Sequence, residues 1–255
     1  MNLITDEVAQ KRIAQAERVV VLTGAGISAP SGIPTFRGEN GLWTKLSPQE
    51  LSSFESFYLN TAMVSEWYKH RREIIEVCQP NAGHHALVEL AKMVSEFTLV
   101  TQNIDGLHQR AGSREVLELH GTIMENYCIR CGQQYSVAEF DEIYNCSSNH
   151  IPRCFCGGLI RPNVVWFGES LPVKAYEAAY RASQKAELFL SVGTSAQVRP
   201  AADLPLIAKE HGAFLIEINI VNTVLTPYAD LFLKGAVDVI LPQFNQEYQY
   251  LLMQA

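Results

Sequence analysis

Val19-Val20-Val21-Leu22-Thr23-Gly24-Ala25-Gly26-Ile27-Ser28-Ala29 is an unbroken run of β-branched and apolar residues that gives way at once to a glycine-rich turn. A strand with no polar alternation suits burial on both faces of a parallel sheet, and such a sheet needs helices on both sides. Gly24-x-Gly26-x-x-Ala29 after a strand has the form of a dinucleotide-binding turn. There the missing Cβ atoms let backbone approach a pyrophosphate, and the N-terminus of the next helix favours its charge. Glycine turns also follow strands where no ligand binds, so the pattern alone leaves both readings open.

Further apolar runs lie at Phe97 to Val100, Leu188 to Val192, Phe214 to Ile218 and Val237 to Ile240, with helical patterns at His84 to Ser95, Val173 to Gln184 and Ala202 to His211 between them. The alternation predicts an α/β fold with a Rossmann-like, doubly wound parallel sheet. Two stretches interrupt it and read as insertions forming a smaller zinc-binding and helical domain. The expected organisation is one unit over 1–255, with a large domain from about 1–30, 81–121 and 164–255. The small domain would come from about 31–80, helical, and 122–163, which carries paired cysteines. The acidic residue expected about 20 positions after a dinucleotide turn has no clear candidate. Pro30-Ser-Gly-Ile-Pro-Thr-Phe-Arg-Gly38 is too broken for a plain dehydrogenase crossover.

Thr101-Gln-Asn-Ile-Asp-Gly-Leu-His108 follows the run ending at Val100, so Gln102, Asn103 and Asp105 fall at the carboxyl end of a buried strand, where open α/β sheets receive ligands. His120 reaches the same mouth if the chain folds back. The cluster reads as a nucleotide pocket with a general base, or as a polar loop beside a satisfied histidine.

Cys128-x-x-Cys131 and Cys154-x-Cys156, 22 residues apart, approach the spacing of a structural four-cysteine zinc site; a redox pair or unrelated buried thiols are the alternatives. Cys78 and Cys146 stand outside the pairs. The chain has 255 residues, 47% hydrophobic and 18% charged, and a formal net charge of −7. That balance argues against a phosphate-tracking nucleic-acid binder. No apolar stretch is long enough to span a bilayer, and a soluble, cytoplasmic protein is expected. In Glu66-Trp-Tyr-Lys-His-Arg-Arg72, Tyr68 and Arg71 share a helix face. A phenol plus a guanidinium facing a pocket would recognise a carboxylate; facing solvent, the arginines would pair with Glu73 and Glu76.

Together these segments resemble the sirtuin family of NAD-dependent protein lysine deacylases. The resemblance rests on Gly24 to Gly38, Thr101 to His108, Leu119-His-Gly121, the four cysteines, Val164-Val-Trp-Phe-Gly-Glu169, Gly193-Thr-Ser195 and Asn219, in family order along nearly the whole chain. It implies that NAD is consumed as co-substrate, held by Gly24, Ala25, Gly26, Ser28, Phe36, Arg37 and Trp43, by Gln102, Asn103, Ile104 and Asp105, and by Gly193, Thr194, Ser195, Asn219 and Ala236. Asn219 would then take the adenosine ribose in place of the missing acid. His120 would be the catalytic base, with Asn103 beside it in the catalytic centre. The acyl-lysine oxygen would attack the nicotinamide ribose, and His120 would deprotonate a ribose hydroxyl that attacks the resulting imidate. The products would be nicotinamide, O-acyl-ADP-ribose and free lysine.

Acyl-lysine proteins or peptides would bind as a strand along Val165, Trp166, Phe167 and Gly168. Cys128, Cys131, Cys154 and Cys156 would hold one structural Zn2+. Tyr68 and Arg71 match the signature of the subgroup that removes succinyl and malonyl groups, often alongside acetyl. Mono-ADP-ribosyltransfer and a non-catalytic NAD-sensing module remain as alternatives.

Overall fold

A computed structural model describes residues 3–36, 48–147 and 149–254. The chain opens with α1 (Glu7–Ala14) and β1 (Arg18–Thr23), followed by short helices α2 (Pro48–Leu51) and α3 (Phe54–Leu59) and the longer α4 (Thr61–Val77) and α5 (Ala82–Met93). Next come β2 (Glu96–Thr101), α6 (Leu107–Ala111), β3 (Val116–Glu118), β4 (Gly121–Cys128), β5 (Gln134–Ser136), α7 (Val137–Cys146) and β6 (Ile160–Val164). The last third holds α8 (Val173–Lys185), β7 (Leu188–Val192), α9 (Leu204–Glu210), β8 (Phe214–Asn219), β9 (Leu231–Lys234) and α10 (Val237–Gln254).

Among the described residues, six strands form the main sheet in the order β3-β2-β1-β7-β8-β9, every pairing parallel. The opening run of valines shows why both faces are covered. Val19 and Val21 pack with Leu87 and Leu90 of α5 and Phe244 of α10, while Val20 and Leu22 pack with Ala179 of α8 and Leu204 and Ala208 of α9. Full burial of each such side chain contributes roughly 1.5–3 kcal/mol, so the strand is held from both sides. The chain runs from β1 outward to β3, then returns to β7 on the other flank of β1. The order therefore reverses between β1 and β7, and a crevice opens at their carboxyl ends.

A second sheet, β5-β4-β6, is antiparallel. It packs on α7 through Cys128, Phe140, Tyr144, Cys154 and Ile160. Phe57, Val64 and Tyr68 of the helical segment join Ile123, Leu159, Val164 and Trp166 in another core, so helices and small sheet support one another.

Two expectations change. Val237 to Ile240 is the first turn of α10 and not a strand; the last strand is β9, three residues earlier. Val237, Ile240, Leu241, Phe244 and Tyr248 are the buried positions, a helical spacing visible only when the window extends past the short apolar run. The glycine turn also leads into two 3₁₀ turns, Ala25–Ile27 and Ala29–Ser31, and not into a long helix.

Candidate active site

The crevice holds a cavity of about 1040 Å³. Its floor is the contact between the β1 and β7 turns. The Gly26 amide donates to the Gly193 carbonyl at 2.8 Å, so that N–H is committed within the protein. A Cβ on Gly26 would lie 2.6 Å from the same oxygen, and one on Gly24 would lie 2.8 Å from Thr194 Cα. The two glycines thus let two turns touch, leaving a floor without side chains.

Asn103 is fixed by both of its amide protons. Nδ2 donates to the Gly24 carbonyl (3.1 Å) and to Ser28 Oγ (3.2 Å), while Ser28 Oγ donates its own proton to Asp105 Oδ2 (2.7 Å). Asp105 also accepts from the Leu107 amide (2.9 Å), and burial holds its pKa above the usual carboxylate value. This network sets the orientation of the amide: its protons are spent, and Oδ1 is the group left to meet a ligand. Gln102 Nε2 donates to Thr194 Oγ1 (2.9 Å), tying β2 to the β7 turn, and Asn219 Nδ2 donates to the Thr194 carbonyl (2.9 Å).

The Thr101 to Gly121 stretch offers two histidines, and the structure separates them. His108 is buried outside the cavity against Thr23 Oγ1 (2.8 Å), and burial beside His84 pushes its pKa down to about 3. His120 lines the cavity, with Nδ1 2.9 Å from the Gln102 carbonyl. A carbonyl only accepts, so Nδ1 carries the proton and Nε2 keeps the lone pair. Burial, which favours the neutral ring, lowers the His120 pKa, and the hydrogen bond to the Gln102 carbonyl opposes it in part.

The expected site residues are distributed as follows. Gly24, Ala25, Gly26, Phe36, Gln102, Asn103, Ile104, His120, Gly193, Thr194, Ser195, Asn219 and Ala236 line the cavity, as do Tyr68 and Val165 to Gly168. Ser28 and Asp105 stand behind the wall and act through Asn103. Arg71 is also behind it, donating to the Pro34 carbonyl (3.2 Å) with its guanidinium 5.0 Å from the Phe36 ring and 5.8 Å from Trp67. Arg37 and Trp43 lie outside the described residues. Ser52, Trp67 and the loop 220–223 also line the cavity, though no motif pointed to them. That loop is tied down by Glu217, buried on β8, which accepts from the hydroxyls of Thr223 and Thr226. A glutamate inside an apolar strand was the available signal.

The backbone beside His120 meets the segment after β6: the Val165 amide donates to the His120 carbonyl at 2.9 Å. At the far ends of β4 and β6 the sulfurs of Cys128, Cys131, Cys154 and Cys156 lie within 4.8 Å of one another, with Cys128–Cys156 at 3.5 Å and Cys131–Cys154 at 3.6 Å. Tetrahedral zinc with Zn–S near 2.3 Å places sulfurs about 3.8 Å apart, whereas a disulfide needs about 2.0 Å. The donor set fits one zinc ion and leaves no open coordination position.

Residues 24–200 match the model of the Sir2 family. The chain belongs to the Sir2 family. An NAD-dependent protein deacylase of Aquifex aeolicus is 51% identical over 219 residues, covering 85% of this chain and 89% of that protein. NAD-dependent protein deacylase 2 of Pyrobaculum aerophilum is 47% identical, covering 92% of each. Among solved structures, a Sir2 homologue in complex with NAD has a TM-score of 0.87 at 41% identity, covering 98% of this sirtuin and 96% of that chain. A Sir2 complex with a p53 peptide and NAD+ has a TM-score of 0.87 at 35% identity, covering 97% and 100%.

Proposed function

We propose that this sirtuin removes acetyl groups, and also succinyl and malonyl groups, from protein lysines at the expense of NAD. The general activity, NAD-dependent protein deacylation, is that of the family. NAD supplies an ADP-ribosyl group with nicotinamide as the leaving group. The adenosine end would lie against Gly193, Thr194, Ser195 and Asn219, and the nicotinamide end against Ile104, Gln102 and the free Oδ1 of Asn103, with Phe36 over the reacting ribose. The bare glycine floor and the orientation of Asn103 support this placement.

His120 Nε2 would take the proton of a ribose hydroxyl, freeing that oxygen to attack the activated acyl carbon; a base whose pKa is near or below the working pH suits the task. The products are then nicotinamide, O-acyl-ADP-ribose and free lysine. The acyl-lysine peptide would lie along Val165 to Gly168 as an added strand, bound mainly through its main chain.

Acyl choice rests on one observation. Arg71 is 5% exposed, and among the described residues no ion pair includes it. Burial lowers its pKa, and Asp105, whose charge opposes that shift, is committed to Ser28 and Leu107. Burying a guanidinium without a carboxylate is costly, and an acyl carboxylate beside Tyr68 would offset the cost. Such a ligand would displace the Phe36 ring or the Pro34 carbonyl from Arg71. The test compares nicotinamide release from acetyl, succinyl and malonyl peptides of one sequence, with His120→Tyr as the inactive control. Arg71→Met with Tyr68→Phe should lower the succinyl-to-acetyl ratio of kcat/KM by about a hundredfold. Equal losses on both peptides would refute the carboxylate reading, and ADP-ribosylated protein in place of free O-acyl-ADP-ribose would point to transfer chemistry.

A further inference from the structure

We infer that Trp166 is a positioning residue for acyl selection: its indole N–H fixes the Tyr68 oxygen as an acceptor and so commits the phenol proton to a carboxylate in the cavity. The inference rests on the carboxylate reading above and assigns a part to a side chain otherwise credited only with lining the peptide site.

Tyr68 and Trp166 are each 2% exposed, and Trp166 Nε1 lies 2.8 Å from the Tyr68 hydroxyl oxygen. An indole N–H donates and never accepts, so the phenol oxygen is the acceptor and its own proton must point elsewhere. Among the described residues the remaining partner is Ser52 Oγ at 3.4 Å, beyond the 2.5–3.0 Å of a good O–H···O bond. Both side chains line the cavity, so the proton is available to a ligand there. Burial raises the Tyr68 pKa, which keeps that proton in place at neutral pH. The methyl end of an acetyl group offers no acceptor, whereas a succinyl or malonyl carboxylate does.

Trp166 can impose this direction because it is itself immobilised. The buried Arg161 guanidinium lies 3.3 Å from the indole centroid and makes a forked contact to Glu169, at 2.6 and 3.0 Å. Glu169 in turn accepts from the Trp166 amide at 2.6 Å. The rings of Phe54 and Phe57 close on the indole at 5.5 and 5.2 Å. Phenylalanine at 166 would keep an aromatic ring in this stack but donate nothing to Tyr68, leaving the phenol free to turn its proton away.

The test uses Trp166→Phe, Tyr68→Phe and the double variant, reading the succinyl-to-acetyl ratio of kcat/KM on peptides of one sequence. Trp166→Phe should lower the ratio about tenfold, the scale of one hydrogen bond, through KM for the succinyl peptide. In the Tyr68→Phe background the same substitution should change the ratio less than twofold, since the oxygen it acts on is gone. If Trp166→Phe misfolds, a tryptophan analogue with sulfur in place of the indole N–H, incorporated at 166 alone, removes the donor and keeps the shape. Proportional losses on both peptides, or an equal change of ratio with and without the Tyr68 hydroxyl, would overturn the inference. Where Tyr68→Phe lowers the ratio and loss of the indole donor does not, only the role of Trp166 fails. Where Tyr68→Phe leaves the ratio unchanged, the carboxylate reading fails and this inference with it.

Discussion

His120 can serve as a base through Nε2 alone, because the Gln102 carbonyl claims the proton on Nδ1. Burial is the main cause of its lowered pKa, so the protonated, inactive form builds up only below the ordinary value near 6.5. The acidic limb of kcat/KM should therefore fall below pH 6.5, with activity flat through neutrality. The sign for stability is the same: the unfolded chain takes up this proton first, so any stability from the neutral ring is present above pH 6.5 and declines as the pH drops. His120→Ala should cost about 10²–10⁴ in turnover and abolish the limb. A pH–rate series on one acetyl peptide reads both, and a limb centred above pH 7 would contradict a base held neutral by burial.

At the level of elements, the active cleft depends on how closely the β1 turn approaches the β7 turn. Gly26→Ala puts a Cβ into the Gly193 carbonyl, where two backbones must separate because no flexible side chain can yield. The expected cost is about 1–3 kcal/mol, a fall in Tm of roughly 3–10 °C, together with a rise in KM for NAD larger than that for peptide. Thermal melts and steady-state kinetics check both, and an unshifted KM for NAD would separate this contact from cofactor binding. The strands at such turns were legible because each is a mainly apolar run of strand length: β1, β7 and β8 stand where Val19 to Thr23, Leu188 to Val192 and Phe214 to Ile218 predicted them. Val237 to Ile240 misled because three apolar residues around Asp238 are too short a run to show a period, and the helix declares itself only from Leu241 to Tyr248. The site motifs gave residue types but not orientations. That Asn103 presents its oxygen, that Arg71 sits behind Phe36, and that Glu217 anchors the 220–223 loop all depend on contacts between segments distant in the chain.

Across the whole molecule, the paired cysteines and His120 lie at opposite ends of the same two strands. β4 starts at Gly121, beside His120, and ends at Cys128; β6 starts at Ile160, after Cys156, and ends at Val164, before the cavity-lining segment Val165 to Gly168. The two strands are paired at both ends, Cys128 with Ile160 and Gly121 with Val164. A second link runs through Arg72 of α4, buried at 1% exposure, which stacks 4.7 Å from the Phe140 ring and donates to Asp141 at 3.2 Å. Helix α4 also carries Tyr68 and Arg71, so the cysteine cluster braces both the segment after β6 and the helix beside the cavity without lining it. Four thiols this close need a cation to be held together as thiolates. The protein should therefore contain one zinc per chain, and removal by a strong chelator should lower Tm and reduce activity on acetyl and succinyl peptides together. The parallel sheet, whose two cores do not include the cysteines, should keep its circular-dichroism signature. Metal analysis alongside melting curves decides the matter: a chelated protein free of zinc yet melting at the original temperature would show that the four cysteines do not brace the site.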